Sequence, residues 1–153
     1  GVNLLPATML RLSAVKNIAG IKEASGNVEQ LQELMRVVGD KTDVYLGEDS
    51  LTYVGMALGA KGVISVAANV APLLMHEITA SAENGDFAAA RNAQLLALPL
   101  IRALFSEVNP IPVKKAMNFL GFAAGTPRLP LTEMEEAHAE VLRAEMVALG
   151  LVD

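Results

Sequence analysis

The first 85 residues alternate short apolar runs with longer amphipathic segments, and this alternation restricts the fold more than any other feature of the chain. Three strands are predicted, at residues 17–24, 44–47 and 62–66. Helices are predicted around them, at residues 3–15, 28–38, 50–59 and 72–83. Strands that are apolar on both faces and joined by helices form parallel sheets, so the sequence predicts an α/β fold.

The remaining residues, 86–153, contain no predicted strand. Helices are predicted at 86–107, with Asp86 as its N-cap, and at 113–120. A last helix is predicted to open at Thr132, because Glu135 three residues later completes a capping box. The sequence therefore divides into a βα segment, 1–85, and a helical segment, 86–153.

A sheet of only three parallel strands would leave both of its edges unpaired and its faces poorly covered. We therefore expect other strands of the same sheet to lie outside these residues. The first residue is glycine rather than an initiator methionine, so we also expect the chain to begin inside a larger protein.

Composition excludes several classes of function. The formal net charge is −5 and no Lys/Arg cluster is present, which argues against nucleic acid or an anionic membrane as a partner. Cysteine is absent, which excludes disulfides and thiolate metal sites and fits a reducing cytoplasm. No apolar run reaches the roughly 20 residues that span a bilayer. His76 and His138 lie far apart in predicted helices without a carboxylate-rich motif, so no metal site is expected.

Lys22 is the strongest candidate for a catalytic residue. It lies near the carboxyl end of the first predicted strand, which otherwise reads as buried, and active sites of α/β folds form at that end. An amine in apolar surroundings loses its proton more easily and can then attack a ketone to form a Schiff base. The alternative is a structural lysine whose ammonium extends to water or pairs with Glu23. Both interpretations remain open from the residues alone.

The second strand ends in Gly47-Glu48-Asp49, which should face the same rim of the sheet. Glu48 and Asp49 are candidates to order a proton-transferring water, although Asp49 is also a good N-cap for the helix at 50–59. Gly47 and Gly62 would allow close approach of a ligand to the backbone, and ordinary turn geometry is the competing explanation.

Several segments resemble the dihydrodipicolinate synthase family in order and spacing, over essentially the whole chain. They are GIKEASG at 20–26, GVISVAANVAP at 62–72, NPIPVK at 109–114, RLPLT at 128–132 and the opening GVNLLP, which resembles the stretch after the family's fifth barrel strand. The resemblance implies strands six to eight of a (β/α)₈ barrel in residues 1–85 and the family's helical domain in 86–153.

The resemblance also implies a reaction. Lys22 would condense with pyruvate, and the enamine would attack L-aspartate 4-semialdehyde on the cytoplasmic route to diaminopimelate and lysine. Gly47 and Ile64 would line the pyruvate site, Ile64 through its backbone carbonyl. No cofactor is implied beyond the lysine–pyruvate imine, although some members hold a monovalent cation on carbonyls matching Ser13–Ile18. Glu48 replaces the family's usual aspartate.

The family resemblance implies a homo-oligomer, usually a tetramer, and a missing amino-terminal half. The family's proton-shuttling tyrosine, threonine pair and carboxylate-binding arginine would all precede Gly1. Two alternatives remain: N-acetylneuraminate lyase or a 2-keto-3-deoxy-sugar aldolase of the same superfamily, or a non-catalytic assembly module that acts through the helical segment.

Overall fold

The computed structural model describes all 153 residues, Gly1–Asp153. Its helices and strands are α1 (Pro6–Leu12), β1 (Gly20–Glu23), α2 (Val28–Val38), β2 (Asp43–Leu46), α3 (Thr52–Ala57), β3 (Gly62–Val63), α4 (Pro72–Glu83), α5 (Phe87–Leu104), α6 (Ile111–Phe119) and α7 (Glu136–Ala148). Short 3₁₀ turns cover Asp49–Leu51 and Ala67–Asn69. No helix combines the length and the apolar character that crossing a membrane requires.

The three strands form one parallel sheet in the order β1-β2-β3, which confirms the predicted α/β class. Strands β1 and β3 are shorter than predicted, whereas β2 has the predicted length and begins one residue earlier. The chain before Gly20 makes turns, in which the Ile18 N–H donates to the Val15 carbonyl, so β1 does not begin at residue 17. At the other end, Val66 adopts helical dihedral angles and starts a 3₁₀ turn, so β3 cannot continue to residue 66.

The chain divides into two compact units. The first contains Gly1–Ser65 and Glu77–Arg91, and the second contains Val66–His76 and Asn92–Asp153. The units are interleaved along the sequence and do not meet at residue 85. The predicted domain boundary concerns a complete barrel and stays a prediction.

The core of the first unit lies on one face of the sheet. Its buried members come from α1, α2, β2 and the loop that follows α3, and they are Met9, Leu31, Leu34, Val38, Val44, Leu46 and Ala60. Gly55 lets α3 approach β2 closely, since a Cβ at that position would lie 2.2 Å from a Leu46 methyl carbon. Asn27 caps α2, because its side chain accepts a hydrogen bond from the Gln30 N–H at 3.1 Å.

Strand β1 was expected to be buried, and this expectation is wrong for most of its length. Only Glu23 is buried, whereas Gly20 and Lys22 are exposed. The reason is that β1 is an edge strand with helices on one face, so alternate side chains and one row of backbone groups face outward.

One expectation about the helical segment is confirmed and one is corrected. Asp86 caps α5, because its side chain accepts from the Ala89 N–H at 2.9 Å. Helix α7, however, begins at Glu136 and not at Thr132. Glu135 is held in an extended conformation and its N–H donates to the Glu107 carboxylate at 3.0 Å, so the predicted capping box does not form.

Candidate active site

The sheet places the three predicted site residues at its carboxyl end. Lys22 is paired with Tyr45, and Glu23 is paired with Leu46, which in turn is paired with Val63. Gly47 and Ile64 follow directly, and each continues the ladder by one bond. The Gly47 N–H donates to the Glu23 carbonyl at 2.6 Å, and the Ile64 N–H donates to the Leu46 carbonyl at 2.7 Å.

Gly47 lies directly beneath the Lys22 side chain. A Cβ built on Gly47 would be 2.5 Å from Cε and 3.0 Å from Cγ of Lys22, and 2.6 Å from Cβ of Ala24. These separations are far below ordinary carbon–carbon contact. The backbone of Gly47 is not in the left-handed region, so the requirement for glycine is one of space and not of conformation. The Lys22 side chain can therefore take this position only because residue 47 has no Cβ.

The Lys22 side chain is exposed, so the apolar surroundings expected from the sequence are not supplied by these residues alone. Of the two forms of the competing interpretation, the exposed side chain fits an ammonium that extends to water, whereas no ion pair with Glu23 forms. Successive side chains of a strand point to opposite faces, so Lys22 and its neighbour Glu23 diverge.

Glu23 belongs to a hydrogen-bond network that the sequence did not reveal. Its carboxylate is buried, and Oε1 accepts from the Ser25 N–H at 3.0 Å and from Nε2 of Gln30 at 3.2 Å. Gln30 also makes a reciprocal amide pair with Asn3, at 2.7 and 3.0 Å. A glutamate at the end of an apolar strand was the available signal, but the Asn3–Gln30 pair joins residues 27 positions apart and could not be inferred.

A cavity of about 550 Å³ opens beside these groups. It is lined by the amino-terminal residues 1–4, by Ile21–Ser25 of the strand end, and by Gln30. Lys22 is the only lysine in this lining.

Glu48 and Asp49 occupy the loop after Gly47, as predicted, but Asp49 does not cap a helix. The N-cap of the 3₁₀ turn is Glu48, without a side-chain capping bond. Asp49 is buried, and its backbone carbonyl accepts from the Thr52 hydroxyl at 2.9 Å. The carboxylate of Glu48 accepts from the Ser50 hydroxyl at 3.0 Å. Because Glu48 is only half-buried, it remains within reach of solvent at this rim.

The segment Ser13–Ile18 lies at the opposite end of the strands from Lys22. A separate cavity there is also lined by the ammonium-bearing residues Lys16, Lys41 and Lys61. The Val15 carbonyl already accepts a hydrogen bond within the turn. The lining also contains the carboxylates of Asp40 and Asp43, so positive and negative side chains meet here, and no chemical step is assigned to a bound cation.

Known proteins resemble the chain over its whole length. The dihydrodipicolinate synthetase family matches residues 1–149. The 4-hydroxy-tetrahydrodipicolinate synthase of Lachnoclostridium phytofermentans is 49% identical over 153 residues, which cover 99% of this chain and 52% of that protein. The crystal structure of a dihydrodipicolinate synthase from Thermotoga maritima matches with a TM-score of 0.96 and 39% identity, covering 99% of this chain and 53% of that one.

A further solved structure carries a ligand. The dihydrodipicolinate synthase of Acinetobacter baumannii, crystallised in complex with pyruvate, matches with a TM-score of 0.93 and 39% identity, again over 99% of this chain and 52% of that one. The chain therefore spans about half the length of the relatives that it matches.

Proposed function

The chain belongs to the dihydrodipicolinate synthetase family, and we propose that it forms the carboxyl-terminal half of a 4-hydroxy-tetrahydrodipicolinate synthase. In this proposal it supplies strands six to eight of a (β/α)₈ barrel, the family's helical domain, and the Schiff-base nucleophile Lys22. The observation that carries the proposal is the passage of the Lys22 side chain over Gly47 at the carboxyl end of a parallel sheet, where barrel enzymes build their sites.

The chemistry that we propose begins at the amine of Lys22. The neutral amine attacks the keto carbon of pyruvate, a carbon–nitrogen bond forms, and the former keto oxygen leaves as water. The imine then loses a proton from the pyruvate methyl group and becomes an enamine. The enamine carbon bonds to the aldehyde carbon of L-aspartate 4-semialdehyde, and the amine of that substrate finally displaces Lys22 to give the cyclic product. With these steps, we propose that the complete protein is a Schiff-base, pyruvate-dependent lyase.

Gly47 and Ile64 have proposed roles beside Lys22. Gly47 leaves the space through which the lysine stem reaches the cavity. The N–H of Ile64 is already bonded to the Leu46 carbonyl, so the backbone at this point is fixed and its side chain remains half exposed. We assign the Ile64 backbone carbonyl to the pyruvate site.

The open edge of β1 supports the proposal that further strands complete the sheet. The carbonyls of Ala19 and Glu23 bond toward β2, so by alternation the backbone groups of Gly20 and Lys22 point away from it. Large apolar side chains in the same unit are also exposed, among them Val2 at 97% and Leu5 at 55%. A strand paired to this edge would cover such groups and exclude water from the amine of Lys22.

Three subsidiary proposals follow from family membership. The complete protein works in the cytoplasm as a homotetramer. It needs no cofactor beyond the lysine–pyruvate imine. We also propose that a monovalent cation binds near Ser13–Ile18, where the carboxylates of Asp40 and Asp43 line the cavity together with three lysines.

The alternative activities are separated by a substrate panel. The full-length protein should consume pyruvate with L-aspartate 4-semialdehyde and should release no pyruvate from N-acetylneuraminate or 2-keto-3-deoxy sugars. Lys22→Ala should reduce the condensation at least 1,000-fold, on the order of the loss seen when a covalent nucleophile is removed. Cleavage of N-acetylneuraminate as the better reaction would overturn the synthase assignment, and the absence of any pyruvate chemistry would favour a non-catalytic assembly module.

A further inference from the structure

The carboxylate of Glu23 is buried immediately after the proposed nucleophile, and the proposed chemistry does not use it. Glu23 is 4% exposed, and its Oε2 is buried without a hydrogen-bond partner. Burying a carboxylate is costly unless hydrogen bonds compensate, and here only Oε1 receives them. Such a group needs a reason to be present at the end of an apolar strand.

The two bonds to Oε1 join residues that line the cavity beside Lys22. One donor is the Ser25 N–H, in the turn that follows Lys22. The other is the amide of Gln30, which also pairs with the Asn3 side chain in the amino-terminal segment that lines the same cavity. A continuous chain of bonds therefore runs from the lysine strand through α2 to the amino-terminal segment.

We infer that Glu23, Gln30 and Asn3 are positioning residues that hold the amino-terminal segment against the lysine strand and so set the shape of the cleft that receives the keto acid. This inference rests on the proposed function. Glu23 points to the face opposite Lys22, so it acts through Ser25 and Gln30 and does not touch the reacting carbon.

Loss of the network should change the affinity for the keto acid without changing the rate of imine formation, which a purely structural role would not do. The Asn3–Gln30 pair is exposed, so its loss should change the melting temperature little. Its loss should free the wall formed by residues 1–4 while leaving Lys22 over Gly47 undisturbed. The affinity for the keto acid should therefore fall, and the maximal rate of imine formation should not.

The test uses the full-length protein and measures borohydride-trapped pyruvate on Lys22 as a function of pyruvate concentration. Asn3→Ala and Gln30→Ala should each raise the half-saturating concentration by roughly 3- to 10-fold, the range expected for one hydrogen bond. The half-saturating pyruvate concentration of the double variant should be no higher than that of Gln30→Ala alone, because both changes break the same pair. Gln32→Ala, on the exposed side of the same helix, is the matched control and should behave as the wild type.

Glu23 is tested by a graded pair of variants. Glu23→Ala leaves the Gln30 amide and the Ser25 N–H without their acceptor and should raise the half-saturating concentration most. Glu23→Gln keeps an acceptor oxygen in the position of Oε1 and should recover most of the loss.

The outcomes distinguish the inference from the function on which it rests. Wild-type labelling of Lys22, together with network variants that saturate like Gln32→Ala, would overturn the inference and leave the synthase intact. Variants that lower the labelled fraction and the melting temperature at an unchanged half-saturating concentration would show a structural role and also overturn it. No label on Lys22 in the wild-type protein would overturn both.

Discussion

Replacing Gly47 with alanine tests the geometry of the site most sharply. The new methyl carbon would lie 2.5 Å from Cε of Lys22, roughly 1 Å short of an ordinary carbon–carbon contact of about 3.5 Å. The lysine stem must therefore move by about that distance. A misplacement of about 1 Å at a reacting centre can cost on the order of 100-fold in rate, so imine formation in the full-length protein should slow by about that factor.

A second contact allows the rate effect to be separated from a folding effect. The same methyl carbon would lie 2.6 Å from Cβ of Ala24, which cannot rotate away, so overpacking should lower stability by about 1–3 kcal/mol. The double variant Ala24→Gly/Gly47→Ala removes this second clash and keeps the one with Lys22. Its melting temperature should recover while its imine formation stays slow.

The assay is the first-order rate of borohydride-trapped pyruvate adduct, read by intact mass, with melting temperatures measured in parallel. The variant Ala24→Gly alone serves as the control for the double variant. A Gly47→Ala protein that labels at the wild-type rate would refute the steric argument. So would a double variant that recovers its rate along with its stability.

Three further predictions concern the rest of the chain. Leu142→Ala should destabilise the full-length protein by about 2–5 kcal/mol, because Leu142 is fully buried, whereas Val141→Ala on the exposed face should not; equal melting temperatures would contradict this. In the isolated chain, amide exchange should be fast in β1 and β2, because the edge of β1 is open; slow exchange across all three strands of a monomer would contradict it. The hydrogen bond from Arg36 lowers the pKa of the Glu33 carboxyl, so Arg36→Ala should raise that pKa toward its ordinary value in a side-chain NMR titration. Because the folded pKa is lowered, the contribution of this pair to stability is present above the unfolded pKa and is lost as the pH falls through the folded one; a Glu33 titration unchanged by the mutation would contradict the assignment.

The order of the elements was predictable because local patterns determine it. Helices α2 and α4 occupy the predicted residues, since each has a clear start signal and apolar periodicity. The start of α7 was not predictable, because Glu135 is held by Glu107, a residue 28 positions earlier in the sequence. Leu142 and Met146 of α7 are fully buried within the chain.

The site shows the same division between local and distant information. Lys22 and Gly47 were placed on one rim because parallel strands align their carboxyl ends, whereas Ile64 was expected at the site only from the family resemblance. The steric demand on Gly47 could not be predicted, since it comes from a side chain on a neighbouring strand. The network of Glu23 could not be predicted either, because the Asn3–Gln30 pair joins residues 27 positions apart. The exposure of Lys22 could not be decided from the sequence, because the sequence does not show which strand lies at the edge.

The central claim is that Lys22 is the amine that captures pyruvate, and peptide mapping after borohydride reduction tests it most directly. In the full-length protein the reduced pyruvate adduct should be found on the peptide that contains Lys22. Lys22→Ala should abolish it, whereas Lys16→Ala and Lys61→Ala should not. The isolated chain, whose Lys22 is exposed, should label weakly and show no synthase turnover. An adduct on any other lysine, or full labelling of the Lys22→Ala protein, would contradict the claim.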